Sequence, residues 1–235
     1  NIIVQLRKMI KLGLLVLLAF FAQAHGGVFR VRYGVTARLG EYPFVVLIYS
    51  GGTICTASIV GSNKVLTAGH CVCGQMKMKD VITETITTDT GLDPRKMYKV
   101  ARYSYSPQYE DECQKLGRGM SGVGVAGYDI AMITIQGSFR FSNTVTQTRL
   151  ATRKPSAGQR VRIVGYGKDE NQKTGTLKHG ALNLKNCPSG FQGLDDAICY
   201  DADESVNRQA TGSGDSGGPM LNDNDEILGV TSGKI

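Results

Sequence analysis

Past residue 30 the chain is cut into short apolar runs, and that limits what it can build. Segments 43–49, 53–60, 63–67, 97–103, 129–135, 159–165 and 226–232 are rich in Val, Ile, Tyr and Thr, and glycine, asparagine or proline separates many of them. Runs this brief and this rich in β-branched side chains read as strands. No stretch after residue 30 carries a long 3.6-residue apolar period, so an all-β barrel or sandwich is expected. Residues 117–127 (Gly-Arg-Gly-Met-Ser-Gly-Val-Gly-Val-Ala-Gly) hold too much glycine for a stable helix or strand and read as a surface loop. A length of 235 residues fits one large domain or two small ones, and a hydrophobic share of 41% suffices for a sizeable core.

The first 30 residues have a different character. Arg7, Lys8 and Lys11 lead into an apolar stretch over residues 10–24 that exits in Ala22-Gln23-Ala24. A basic start, a short apolar centre and a small-x-small exit describe a secretory signal peptide over residues 1–24, with Met9 as the expected true start. The alternative, a membrane anchor, needs about 20 apolar residues, so no stable membrane span is expected.

The formal charge of +7 shrinks once that region is set aside. Four of the 27 Lys and Arg residues lie in the first 30 positions with no acids, which leaves 23 bases against 20 acids, a net of +3. No basic run is interleaved with aromatics, so a nucleic-acid role has no support. Six cysteines behind a secretory signal suggest disulfides, and Cys71-Val72-Cys73 lacks zinc spacing. No Asn-x-Ser/Thr acceptor for glycosylation is present.

Three strings carry the chemistry: Thr67-Ala68-Gly69-His70-Cys71, then Asp129-Ile130-Ala131-Met132, then Gly214-Asp215-Ser216-Gly217-Gly218-Pro219. They set a histidine, an aspartate and a serine in that chain order. A serine hydroxyl barely ionises at neutral pH and needs a neighbouring base. An imidazole can take its proton, and a buried carboxylate can hold that imidazole in the right tautomer.

Together these strings resemble the trypsin/chymotrypsin family of serine endopeptidases, and the order His, Asp, Ser separates them from the subtilisin and α/β-hydrolase arrangements. Other segments agree. Val31-Arg32-Tyr33-Gly34, with Ala37, Gly40, Glu41 and Pro43 after it, looks like the family's mature N-terminus. Ser106-Pro107-Gln108-Tyr109 resembles the approach to the aspartate. Val164-Gly165-Tyr166-Gly167 resembles a Gly-Trp-Gly turn with Tyr for Trp, and Gly229-Val230-Thr231-Ser232 resembles the strand lining the substrate cleft.

The resemblance implies two six-stranded Greek-key barrels of the chymotrypsin type. The N-terminal barrel would span residues 31–145 with His70 and Asp129, and the C-terminal barrel residues 146–235 with Ser216. It implies His70 as general base, Asp129 as its orienting carboxylate with Ser232 hydrogen-bonded to it, and Ser216 as nucleophile. Gly214 and Ser216 would offer backbone N–H groups to the oxyanion. Residues 25–30 become a short propeptide cut after Arg30, so that the new Val31 ammonium pairs with Asp215. Arg32 and Tyr33 depart from the usual Val and Gly there. The resemblance pairs Cys55 with Cys71 and Cys187 with Cys199; Cys73 and Cys113 remain, and are paired by elimination. Cys113 falls in an apparent insertion between Tyr109 and Asp129 that would lie beside the substrate cleft and restrict access or shape subsites. His179 matches no motif and reads as a surface residue.

Around the implied substrate pocket the chain departs from the family. Ala210 and Thr211 stand where an aspartate would select Arg or Lys, so an apolar or aromatic P1 residue is expected, with Asp201, Asp203 and Glu204 as acids that could reach the pocket instead. Ser213, Ser232 and Gly233 complete the implied pocket. Gly212 replaces a frequent cysteine, Gly233 a tryptophan and Lys234 a glycine. Relatives continue for about 30 residues past the position of Ile235, so the second barrel is expected to be truncated at its C-terminal end and the sequence to be a fragment. The reading that follows is a secreted, monomeric serine endopeptidase made as a zymogen. It needs no cofactor and shows no acidic loop suited to calcium; its partners are protein or peptide substrates, protein inhibitors and an activating protease. The alternative is a catalytically impaired protease-like binding protein: a decoy, inhibitor or effector.

Overall fold

The computed structural model describes residues 34–73, 78–117, 127–169, 171, 173–188, 197–200 and 210–232. Strands dominate. The first unit is a closed barrel of β2 (Val45–Ser50), β3 (Thr53–Gly61), β4 (Lys64–Thr67), β7 (Ala131–Ile135), β6 (Met97–Tyr105) and β5 (Asp80–Ile82), antiparallel throughout and in that order around the wall. Closure leaves no free edge in this unit. A two-residue turn at Gly51-Gly52 joins β2 to β3, with Ser50 facing Thr53. Bulges between Ile59 and Gly61 and between Val100 and Arg102 bend the long strands around the wall.

The second unit is a six-stranded sheet ordered β1 (Val35–Thr36), β9 (Lys178–Lys185), β8 (Arg160–Gly165), β11 (Pro219–Leu221) and β12 (Ile227–Val230), with β10 (Cys199–Tyr200) also pairing β9. Among the described residues this sheet does not close. Val161, Ile163, Leu182, Leu184 and Met220 form its own apolar cluster. Val164, Tyr166, Leu177, Leu221 and Ile227 instead join the core of the barrel, so one continuous apolar interior spans the seam between the units. Burial of that interior is what sets the two units side by side.

Four expectations change. Strand β1 pairs with β9 and so belongs to the second sheet, although it precedes the barrel in sequence. Residues 110–117 form a helix, α1 (Glu110–Gly117), entered through a 3-10 turn at Pro107–Tyr109. Its first turn carries Glu110, Asp111 and Glu112, which suit the positive end of the helix dipole; its eight residues are too few for a helical period to stand out in the sequence. His179 is half-buried: its ring lies 5.1 Å from that of Tyr42 and its Nε2 is 3.3 Å from Glu41 Oε1. Burial holds the His179 pKa below the ordinary histidine value, against the pull of Glu41. Finally, Cys73 and Cys113 are free buried thiols rather than a disulfide; they sit in one cluster with Tyr109 and Tyr105, at the contact between α1 and the His70 turn. Among the described residues no helix is long and apolar enough to cross a membrane.

Candidate active site

His70 sits in a single 3-10 turn, Gly69–Cys71, where the chain leaves β4. Turn bonds from Cys71 N to Ala68 O (3.2 Å) and from Val72 N to Gly69 O (3.0 Å) shape it. The expected Cys55–Cys71 disulfide is formed and ties the turn to β3. The two cysteines are 16 positions apart, and closing such a loop contributes about 3 kcal/mol in the chain-entropy model. The second expected bridge, Cys187–Cys199, is also formed.

Asp129 stands just ahead of β7, at the centre of a tight turn in which Ile130 N donates to Tyr128 O at 2.7 Å. Tyr128 has φ +62°, a left-handed conformation costly for a side chain of that size. The turn aims the carboxylate at His70. Asp129 Oδ1 accepts the His70 backbone N–H at 2.8 Å, and Oδ2 lies 2.7 Å from His70 Nδ1. Ser232 Oγ donates to the same Oδ2 at 2.5 Å. The carboxylate side chain is 6% exposed and the histidine 20%. Burial alone would raise the Asp129 pKa, but the hydrogen bond and charge of the His70 ring, the Ser232 hydroxyl and the His70 N–H outweigh it and hold the carboxyl below the ordinary aspartate value. An ionised carboxylate only accepts, so Nδ1 carries a proton, and in the neutral ring the free lone pair is on Nε2.

Tyr109 completes this side of the site. Its buried ring lies beside Gly69 and Asp129, and burial together with the Asp129 charge pushes its phenol pKa well up. The sequence marked Tyr109 only as part of a lead-in segment.

Ser216 reaches the seam from the second sheet, on the turn before β11. Thr56 N donates to Ser216 O at 2.8 Å, and Gly217 N donates to Thr231 O at 2.8 Å. Gly217 has φ +81°, and a Cβ there would lie 2.0 Å from Thr67 Oγ1, so only glycine lets the turn settle against β4. Gly214 precedes the turn with φ +101°. Among the described residues neither the Gly214 N–H nor the Ser216 N–H has a hydrogen-bond partner. No hydrogen bond joins Ser216 Oγ to His70.

Asp215 turns the other way and is buried. Its Oδ1 accepts Gly167 N–H at 2.8 Å and its Oδ2 accepts Gly212 N–H at 2.7 Å. A Cβ on Gly165 or Gly167 would come within 2.3 or 2.4 Å of this side chain, so the Gly165-Tyr166-Gly167 string provides the space the carboxylate occupies. Tyr166, between those glycines, is fully buried and donates its hydroxyl to Thr85 O at 2.7 Å. The proposed partner of Asp215, Val31, and the cleavage residue Arg30 lie outside the described residues, as does Gly233.

Of the remaining pocket candidates, Ala210 and Thr211 are buried and Ser213 is exposed. The Tyr200 hydroxyl lies 2.9 Å from Thr211 Oγ1 and accepts Thr211 N–H at 3.1 Å, and Lys168 N donates to Ser213 O at 2.8 Å. The sulfurs of Cys55 and Cys71 lie within 4.8 Å of a His70 nitrogen, but both are spent in the disulfide, so the group offers no set of metal ligands.

The family model described as Trypsin matches residues 31–235. The chain belongs to the trypsin family. Its relatives include the cercarial protease of Schistosoma mansoni, 29% identical over 202 residues, with 82% of this chain and 75% of that protein covered. A thrombin-like enzyme of Bothrops jararacussu is 25% identical over 200 residues, with 83% and 80% covered. Among solved structures, neuropsin, a serine protease expressed in the limbic system of mouse brain, superposes with a TM-score of 0.67 at 24% identity and 84% coverage of each chain. A mutant of human heparin binding protein superposes at 0.65 and 17% identity, covering 85% of this chain and 83% of that one. The closed barrel and second sheet are consistent with the trypsin family's two-barrel fold.

Sequence reasoning passed over one further site residue, Thr56. It lies at the seam beside Cys55, fully buried, and bonds to Ser216, Gly214, Tyr166 and Thr67. A threonine inside a β-rich run carries no sequence signal beyond strand propensity.

Proposed function

We propose that the protein is a secreted serine endopeptidase that hydrolyses peptide bonds through Ser216, His70 and Asp129. The observation that carries this reading is the double grip of Asp129 on His70, through the backbone N–H and Nδ1 together. That grip fixes the ring plane and the tautomer, leaving Nε2 as the base. Substrate binding is expected to draw Ser216 Oγ and Nε2 together, because catalytic hydrogen bonds are often long in a substrate-free site and tighten in the enzyme–substrate complex.

The chemistry then runs in two halves. Ser216 Oγ attacks the carbonyl carbon of the scissile peptide while its proton passes to His70 Nε2. The oxyanion is stabilised by the N–H groups of Gly214 and Ser216, each worth about 10²–10³ in rate. His70 returns the proton to the departing amine, and an acyl-enzyme ester on Ser216 remains. Water, deprotonated by Nε2, attacks that ester and frees the carboxylic acid and the serine hydroxyl. No cofactor takes part.

Cleavage after Arg30 by an activating protease would create the Val31 ammonium for Asp215, whose carboxylate already braces Gly167 and Gly212. With Ala210 in place of an acid the primary pocket suits apolar or aromatic side chains. The helix α1 packs beside the His70 turn and would shape the neighbouring subsites. Protein or peptide substrates, protein inhibitors, an extracellular location and a monomeric state complete the proposal; the relatives' names, a cercarial protease and a thrombin-like enzyme among them, support a protease.

A fluorophosphonate probe tests it. After cleavage at Arg30 the wild-type protein should be labelled and the Ser216→Ala variant should not. An unlabelled wild type, or equal labelling of both, would refute the reading.

A further inference from the structure

Thr56 grips, with one residue, the carbonyl oxygens of both residues whose N–H groups would bind the oxyanion. Its hydroxyl donates to Gly214 O at 2.9 Å and its backbone N–H donates to Ser216 O at 2.8 Å. The same hydroxyl oxygen accepts the Tyr166 N–H at 3.0 Å, and the Thr56 carbonyl accepts the Thr67 hydroxyl at 2.8 Å. The residue is 0% exposed, so water cannot substitute for any of these bonds.

We infer that Thr56 is a positioning residue for the oxyanion site, acting through the hydroxyl bond to Gly214. The inference rests on the protease reading of Ser216 and Gly214. The Thr56 position itself needs no special account, since a β-branched residue suits β3. Its hydroxyl does: one oxygen links the barrel to two separate segments of the second sheet, serving at once as donor and acceptor. Gly214 has φ +101° and no side chain, and its following peptide is held at one end by the turn bond from Asp215 N to Gly212 O at 3.1 Å. The bond from Thr56 fixes that peptide by its oxygen. The Ser216 carbonyl is held by the same residue, and among the described residues the Gly214 and Ser216 N–H groups have no hydrogen-bond partner. Preorganised donors of this kind stabilise a developing charge because they need not reorient when it forms.

The test compares Thr56→Val, which keeps the shape and removes the hydroxyl, with Thr56→Ser, which keeps the hydroxyl and removes a methyl. On an apolar peptide ester, kcat of the activated Val variant should fall about tenfold with KM within about twofold, a fraction of the loss for a whole oxyanion donor. Its affinity for a peptide aldehyde, which forms the tetrahedral oxyanion, should fall by a similar factor. Thr56→Ser should return both to near wild type. Amide hydrogen exchange over residues 212–218 should quicken in the Val variant while β2, β3 and β4 stay protected. Wild-type kcat in Thr56→Val, or equal losses in the Val and Ser variants, would overturn the inference. So would a loss confined to the fraction of titratable sites, because that is a folding defect. If the wild type shows no turnover or labelling, the protease reading fails by itself; unchanged exchange over 212–218 in Thr56→Val would then refute the tether independently.

Discussion

Replacing Gly69 with alanine should strain the site from within the His70 turn. A Cβ at that position would lie 2.7 and 2.8 Å from Tyr109 Cδ1 and Cε1, and 3.0 Å from Asp129 Oδ1. Carbon atoms pack best about 3.5–4.0 Å apart, so the overlap with two ring carbons is roughly 0.7 Å or more. The Tyr109 ring has little room to retreat, since it is buried against Cys73, Cys113 and Tyr105. Overpacking of this kind costs about 1–3 kcal/mol, while the stiffer unfolded chain of an alanine variant returns about 0.4–1 kcal/mol. The net expectation is a loss of about 1–2 kcal/mol. With a urea m-value of about 2 kcal/mol/M, the unfolding midpoint would fall by roughly 0.5–1 M. Relief of the clash must move either the ring or the turn, and His70 rides on the turn. A shift of about 1 Å at the reacting groups can cost 10²-fold in rate, so kcat should fall further than stability implies. Tyr109→Leu removes the obstructing ring edge, and the Gly69→Ala/Tyr109→Leu pair should be less destabilised than the sum of the two by about 1 kcal/mol. Urea unfolding with the disulfides intact measures all four proteins. A Gly69→Ala variant as stable and active as wild type, or strictly additive losses, would refute the packing argument.

Other expectations follow from the same geometry. Asp129→Asn should keep the fold and lower kcat by about 10⁴, because an amide no longer enforces the Nδ1–H tautomer. The Asp129 carboxyl is held below its ordinary 3.8, so its contribution to stability is full above about pH 4 and lost as the pH falls through the lower folded value. The stability gap between wild type and Asp129→Asn should therefore narrow between pH 6 and pH 2.5 in denaturant titrations; a gap that does not change with pH would contradict the linkage. Burial pushes the Cys73 thiol far above its usual pKa, so iodoacetamide at neutral pH should leave the native protein unmodified and label two thiols per chain once it is unfolded without reductant. Finding no thiol after unfolding would restore the third disulfide that elimination suggested. Lys178 Nζ lies 2.9 Å from Asp169 Oδ2 in a largely buried pair, and burial's upward push on Asp169 is outweighed by that contact and by the N–H groups of Lys173 and Asn171. Lys178→Met should cost about 3 kcal/mol by stranding the carboxylate; a loss under about 1 kcal/mol in thermal unfolding would show that the pair is not what holds Asp169 there.

The strands that could be read from the sequence were those whose apolar content is local. β2, β3, β4, β6, β7, β8 and β12 all fall on runs of Val, Ile, Tyr and Thr, with ends displaced by only a few residues. The strands that could not be read lack that content. In β9 the buried positions alternate as Lys178, Gly180, Leu182 and Leu184, so a lysine neutralised by Asp169 and a glycine stand where apolar residues would mark the face. The strands β1, β5, β10 and β11 span two or three residues each, too short for any alternation to show. Helix α1 hid for the same reason, being eight residues long with Cys113 as its buried contact.

The sequence by itself determined the candidate site, because His70, Asp129 and Ser216 sit in short strings whose neighbours are constrained by the turns they must make. The two disulfides that are formed, Cys55–Cys71 and Cys187–Cys199, came from the resemblance of the sequence to the trypsin family. What only the tertiary structure decided is how those residues are held: the two hydrogen bonds between His70 and Asp129, the Tyr109 ring filling the space beside Gly69, the thiols of Cys73 and Cys113 left unpaired, and the Thr56 hydroxyl between two units. Each of these depends on positions far apart along the chain that meet only when the barrel closes and the second sheet packs against it, which no local pattern of residues encodes.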